Sequence, residues 1–419
     1  MKNLLLIFYL SILNALPVDR VVIDGNLYTH EKVIIRELKH PIPGEYQGDI
    51  AIDDRNRLYN LGIFSSVEIY QSGNEYRIDL VETSRYLPLP LINIEESKGK
   101  EGYSFGLALR ILNFRGLNQN LIFGAMLGER DIYFINFKDP WFSGDHQSIE
   151  FELYRFMNER FFYNNSTEYN FDFISRGINL GTGFYKSYKH KFNFESGFRQ
   201  NSISGEESII SQQTTYEFIP IKIAYTFDTR NIYNDPESGI LFNINPQQYI
   251  GLNNSTGYSQ LYYAFNYYKK ISNFRDIVLI SKMKGVLKSG KNIPIYNREY
   301  LGGEDFIRGY SPFPLKNPTE IRDNIQVNNI FQQTFELQWT LTPKKLYGTL
   351  EFGIDQVLFI DTGFGSTSSN QLFSGKPLTG FGIGFRFFIS GMGVISMDFG
   401  FNLHGGEMQL HMTDSEETM

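Results

Sequence analysis

The chain has 419 residues, 46 Asp and Glu against 39 Lys and Arg, and no cysteine. A net charge of −7 supplies no basic field for nucleic acid, and the lack of Cys excludes disulfide frameworks and thiolate metal sites. With 37 Phe, 27 Tyr and 38 Gly but two Trp, the composition is unusual for a soluble enzyme. It suits strands that face lipid on one side and water on the other.

The opening "MKNLLLIFYLSILNALP" places Lys2 before an apolar run from Leu4 to Leu13, with Ala15 near a plausible cleavage point. Residues 1–16 therefore read as a secretory signal, too short to span a bilayer. Residues 17–84 read as a small α+β module in the order β-α-α-β-β. "VDRVVIDGN" forms a strand and turn. "THEKVIIREL" forms a helix capped by Thr29, with Val33, Ile34 and Leu38 on one face. "DDRNRLYNLGIF" forms a second helix stopped by Gly62, and "FSSVEIYQ" and "YRIDLVET" form a strand pair around "SGNE".

From Leu87 onward, period-2 alternation dominates. Phe381, Ile383, Phe385, Phe387 and Ile389 alternate with Gly380, Gly382, Gly384 and Arg386. Ile395, Met397, Phe399, Phe401 and Leu403 alternate with Ser396, Asp398, Gly400 and Asn402. A soluble sandwich would alternate too, but many of these segments reach the length needed to cross a bilayer at a tilt, and their polar face suits an aqueous lumen. About 16 segments are expected, and an even count allows antiparallel closure. Residues 85–412 thus read as a transmembrane β-barrel and 413–419 as an acidic tail. The fold class is mainly β, a 16-stranded antiparallel barrel behind one small α+β module.

Alternate connections differ in length. "KSYKH", "TPKKLYG" and "SGMG" are short, whereas "NERFFYNNSTEYN", "NSISGEESIISQQTT" and residues 289–327 read as long outer loops. The longest contains "LGGEDFIRGY", with Gly302, Gly303, Ile307, Arg308, Gly309 and Tyr310. On the twelfth segment Glu336 lies on the polar face. On the thirteenth, Asp361 shares its parity with Asp355, opposite Leu358 and Ile360.

Together these features resemble the BamA/surface-antigen superfamily of outer-membrane assembly and translocation barrels. "RLYNLGIFSSVEI" is similar to the signature of a POTRA domain through Arg57, Leu58, Gly62, Phe64 and Val67. "NFRGLNQNL" (Asn113, Gly116), "FKDPWFSG" (Asp139, Pro140) and "FDTRNIYNDPESG" (Asp228, Arg230, Pro236, Gly239) resemble the family's periplasmic turns. "FIDTG" (Phe359, Asp361, Gly363) resembles its motif on strand 13, and "IRGY" its motif in the sixth outer loop. The resemblance implies that this loop folds inward, that Arg308 pairs with Asp361 near Glu336, and that the protein lies in a bacterial outer membrane with its POTRA domain in the periplasm. The sequence departs from the pattern in showing one POTRA, a short last strand "GEMQLHM", and an acidic end without a terminal aromatic.

No enzyme, cofactor or metal site is expected. "GYSFG" matches G-x-S-x-G, but Ser104 alternates within a strand, whereas a nucleophile elbow needs a strand-to-helix turn. The six His are scattered without ligand spacing and read as surface residues.

The leading functional expectation is an assembly factor for other β-barrel proteins. Clients would enter through the POTRA domain, with periplasmic chaperones or lipoproteins as further partners. Pro88 and Pro90 on the first strand cannot donate ladder hydrogen bonds. With a short last strand, they predict a weak seam where a client strand could be templated. The alternative is a translocator that secretes a dedicated passenger through the lumen.

Overall fold

A computed structural model describes residues 17–97, 100–128, 130–144, 146–164, 167–205, 214–303, 305–310, 326–403 and 408–414. The proposed signal segment lies outside the described residues.

The first module contains β1 (Arg20–Asp24), α1 (Glu31–Ile35), α2 (Gly48–Tyr59), β2 (Phe64–Ser72) and β3 (Glu75–Glu82). Its sheet has the order β1-β3-β2, with β1 parallel to β3 and β2 antiparallel to it. Val33 and Ile34 of α1, Leu58 of α2, and Tyr76 and Ile78 of β3 share one buried cluster. Asp54 is fully buried there because its carboxylate accepts the Lys39 N–H (2.8 Å), the His40 N–H (3.1 Å) and the Tyr76 hydroxyl (2.9 Å) and pairs with Arg57. Burial and this neighbouring carboxylate push the Tyr76 phenol up.

The remaining chain forms a 16-stranded antiparallel sheet. Its first half contains β4 (Tyr86–Ser97), β5 (Lys100–Phe114), β6 (Gln119–Gly128), β7 (Ile132–Asp139), β8 (Gln147–Asn164), β9 (Thr167–Ser187), β10 (His190–Gly205) and β11 (Thr215–Asp228). β12 (Ser238–Leu252), β13 (Tyr258–Ser272) and β14 (Ile277–Ser289) continue it. β15 (Glu299–Tyr300) and β16 (Gln326–Val327) pair separately within the long loop. The sheet then resumes with β17 (Asn329–Tyr347), β18 (Leu350–Ser366), β19 (Leu378–Ile389), β20 (Gly393–Asn402) and β21 (Gln409–Asp414). Every sheet strand pairs with its neighbour in the chain, and β14 pairs with β17 across the loop. Among the described residues no ladder joins β4 to β21.

The sheet is apolar outside and polar inside. Phe105, Leu180, Ile223, Phe335, Leu358 and Leu410 stand exposed, whereas Asn179, Gln247, Lys288, Thr334, Glu336, Asp361, Asp398 and His411 are buried. A water-soluble sandwich has the opposite polarity. Among the described residues no helix is long and apolar enough to cross a membrane, and that test does not address strands.

Four sequence expectations need correction. Thr29 does not cap α1. The N-cap is His30, and the Thr29 hydroxyl instead accepts Asn113 Nδ2 from the first sheet turn at 2.7 Å. "NERFFYNNSTEYN" is largely strand, because β8 runs to Asn164 and β9 starts at Thr167. The backbone ladder simply continues, with Arg160 opposite Phe171 and Asn164 opposite Thr167. The last strand runs through Thr413 and Asp414, which pair with Ser396 and Ile395, so the tail begins later than 413. His40 and His411 are buried rather than surface residues. His40 Nε2 accepts the Gln47 N–H at 2.8 Å, and Nδ1 faces Pro41 O at 3.0 Å.

Candidate functional site

The long loop runs from β14 back into the sheet interior. Lys288 pairs with Glu299 at 2.7 Å, and Tyr296 is buried against Phe173 of β9 and Tyr216 of β11, with ring centroids 4.8 and 5.2 Å away. Asn201 Nδ2 donates to the Tyr296 hydroxyl at 3.1 Å, and Arg160 donates to its carbonyl at 2.6 Å. Beyond β15 the chain tightens. Ile307 N–H donates to Leu301 O and Gly303 N–H to Ile307 O, both at 3.1 Å, with Gly303 in the left-handed region at φ 111°. Leu301, Phe306, Ile307 and Tyr310 are buried against Val286, Ile330 and Leu378.

Arg308 ends this descent. Its Nε and Nη2 grip the two oxygens of Asp361, each at 2.8 Å, and its backbone N–H adds a third bond at 3.1 Å. Nη1 meets Glu336 at 2.9 Å and Asp398 at 3.0 Å. The guanidinium lies 3.6 Å from the Phe359 ring centroid. Thr334 donates to Asp361 at 2.8 Å. Lys282 contacts Glu336 at 3.0 Å, while Arg386 contacts Asp398 at 2.7 Å and Glu336 at 3.3 Å. Three cations thus face three carboxylates, and each desolvated charge has an opposite neighbour.

The loop backbone is also fixed. Gly309 N–H donates to His411 Nε2 at 3.0 Å, Asn402 Nδ2 donates to Gly309 O at 2.9 Å, and Tyr310 OH donates to Thr379 O at 3.2 Å. Gly309 has φ 90°, and a Cβ there would lie 2.5 Å from Phe401 O. A Cβ at Gly363 would lie 2.7 Å from Ile307 Cδ1. Gly302 forms an isolated bridge with Ile307.

Asp398, Arg386, Lys282 and His411 belong to this site but were not assigned to it from sequence. Asp398 and Arg386 do carry the polar parity of their strands. His411 had no such signal, because its role depends on the loop reaching the last strand.

The turn residues lie at the module end of the sheet. Asn113 (φ 51°) and Gly116 (φ 71°) shape the turn after β5, and Gly116 O accepts the His30 N–H at 3.0 Å. Asp139 accepts the Trp141 N–H at 2.9 Å beside Pro140. Arg230 Nε and Nη2 grip the two oxygens of Asp228, at 3.0 and 3.1 Å, in the turn containing Pro236. Gly239 has φ 112°, and a Cβ there would meet Thr229 O at 2.3 Å. Several turns touch the module directly. Asn60 donates to Asn231 O at 3.0 Å, Tyr188 donates to Arg36 O at 3.2 Å, and Tyr59 donates to Glu351. Glu37 is buried beside Arg36 and Tyr188, and burial raises its carboxyl above the usual range.

Pro88 and Pro90 face the open edge. Leu112 N–H donates to Arg85 O at 2.8 Å, and the register pairs Leu87 with Arg110 and Leu89 with Ala108. Odd-numbered residues of β4 therefore bond to β5, and even-numbered ones direct their backbone groups away from it. Both prolines are even-numbered, so the unpaired edge loses two donors. Ser104 lies fully buried in mid-strand β5, and its Oγ accepts the Arg130 N–H at 2.8 Å. That is not a nucleophile elbow.

Residues 113–411 match the model of the Omp85 superfamily domain. The chain belongs to the Omp85 superfamily. It is 28% identical over 236 residues to the outer membrane protein assembly factor BamA of Buchnera aphidicola, covering 54% of this chain and 37% of that protein. It is 24% identical over 377 residues to the BamA of Nitratidesulfovibrio vulgaris, covering 84% of this chain and 44% of that protein. The chain therefore spans less than half the length of these two relatives. Haemophilus ducreyi BamA lacking POTRA domains 1-3 has the same fold, with TM-score 0.58, 14% identity, and 95% and 83% of the two chains covered. CdiB from Acinetobacter baumannii is also similar, with TM-score 0.52, 12% identity, and 95% and 72% covered. With its outward apolar face, this Omp85 protein is an outer-membrane β-barrel protein.

Proposed function

We propose that this Omp85 protein inserts other β-barrel proteins into the outer membrane, with strands β4 and β21 as the templating seam. The module of residues 17–84 acts as a periplasmic POTRA domain that receives unfolded clients, delivered by chaperones or accompanied by lipoproteins. The observation that carries this reading is the edge of β4. Its two prolines remove donors on the side facing away from β5, and among the described residues β21 has six. Internal pairing this weak lets β21 leave β4, which opens the edge to an incoming strand. The names of the curated relatives support the same reading.

The CdiB-like fold is equally compatible with passage of a passenger through the lumen. The path of the loop favours insertion instead, because it is held on one wall by Tyr296 and on another by Arg308. Depletion of the protein followed by outer-membrane proteomics separates the two. Insertion predicts loss of many unrelated β-barrel proteins. Loss of a single secreted protein with the others unchanged would contradict it.

A further inference from the structure

The outward wall formed by β7 to β10 carries a feature that neither the loop nor the seam uses. Arg155 on β8 and Arg176 on β9 are register partners. Both point outward, because Leu153 and Ile178, two residues away at the same parity, are 48% and 40% exposed. Like charges directly opposite each other on a sheet face repel, and arginine on a lipid-facing wall is costly. The internal carboxylates compensate incompletely. Arg155 Nη1 stands 3.7 Å from Asp131, beyond hydrogen-bond range, and makes no hydrogen bond. Arg176 Nε donates to Gln200 at 2.7 Å, and Gln200 Nε2 donates to Glu217 at 2.7 Å, so Glu217 meets Arg176 by charge at longer range and not by a direct hydrogen bond. Among the described residues no hydrogen bond reaches the terminal nitrogens of Arg176.

The two arginines border a shallow groove of about 640 Å³ whose floor includes Leu153, Ile178 and Phe198, with Tyr133 at its side. The groove is thus cationic at one end and apolar along its length. Eight residues separate Arg155 from Gln147 at the module end of β8. At strand rise and ordinary barrel tilt this is roughly 20 Å, close to the far border of an apolar band about 25 Å tall. Arginine at that height extends its head group to the interface while its stem stays among acyl chains.

We propose that Arg155 and Arg176 bind the phosphate of a lipid in the leaflet remote from the module, with its acyl chain along Leu153, Ile178 and Phe198. Two guanidiniums side by side match a phosphomonoester, which carries nearly two charges and three acceptor oxygens, better than a singly charged phosphodiester. The ligand class is therefore a lipid whose headgroup carries a phosphomonoester. Assigning that leaflet to the cell exterior rests on the orientation proposed above, whereas the binding itself does not.

The test uses the full chain in phosphatidylcholine nanodiscs, titrated with bis-phosphorylated lipid A, with the phosphate-free form of that lipid, or with phosphatidylglycerol. Bound lipid is counted by native mass spectrometry. The bis-phosphorylated lipid is expected to bind, and the other two to bind at least about tenfold more weakly. The Arg155→Gln/Arg176→Gln double variant is expected to lose at least about tenfold in affinity while keeping a heat-modifiable folded band. Equal binding by the folded double variant would overturn the site, and equal binding of phosphatidylglycerol would overturn the phosphomonoester assignment. If the double variant does not fold, the two single variants and the three-lipid comparison on the unaltered chain still decide. Protease access to the module reads orientation separately.

Discussion

Gly380 on β19 lies directly against the carbonyl of Arg308: a Cβ added there would stand 1.8 Å from that oxygen. Gly400 on β20 is the companion position, where a Cβ would lie 2.4 Å from Gly309 N. The loop arginine is therefore held by charge at its tip and by missing side chains beneath its backbone. Gly380→Val is expected to lift the loop from the wall, with protease cleavage in residues 289–327 at concentrations that leave the parent intact. Loop protection equal to the parent would show that this close approach is not needed.

Arg308→Ala leaves Asp361 without its two-pronged partner and Glu336 and Asp398 with one cation fewer. The cost is about 3–5 kcal/mol if the site stays dry, and less if water enters. Asp361→Ala should match it, and the double variant should fall well short of the sum. Arg308→Lys should rescue partially, because a point charge cannot grip both oxygens. Denaturant midpoints of these four variants and the parent check this, with strict additivity as the contrary result.

Glu37 gives the module a pH dependence. Its carboxyl is raised in the folded state, chiefly by burial. The folded protein therefore holds this proton more tightly than the unfolded one. Stability falls as pH rises from the unfolded carboxyl value, about 4.3, through the raised folded value. Glu37→Gln should remove that part of the slope and stabilise the module at neutral pH. Thermal unfolding of the module contacts across pH 4 to 8 measures it, and an unchanged slope would contradict the assignment.

Much of the architecture could be read from period-2 alternation alone, because a strand with one lipid face places most of its bulky apolar side chains on one parity. Phe381 to Phe387 and Ile395 to Leu403 show it without interruption. Hairpin length was harder. Polar residues in "NERFFYNNSTEYN" imitate a loop although the backbone stays paired to Asn164. Parity reads Glu336, Asp361, Arg386 and Asp398 as facing one way, but which of them meet one arginine depends on where a loop descends. Thr29 shows the same limit. A helix cap and a tether to Asn113 use the same hydroxyl, and only the docking of module on sheet selects between them.

Replacing Pro88 and Pro90 by Val restores two edge donors at the seam, so the double variant should close more firmly, insert clients more slowly and unfold at higher temperature. Client insertion at the parental rate with a raised melting temperature would separate the prolines from function.

The most direct measurement locks that seam. A panel of cysteine pairs, one residue from β4 and one from β21, can be introduced without interference because the chain has no cysteine of its own. In liposomes, insertion of a radiolabelled β-barrel client should stop when the pair is oxidised and return on reduction, while the protein keeps its heat-modifiable form throughout. Undiminished insertion with the seam fully crosslinked would contradict templating at β4 and β21.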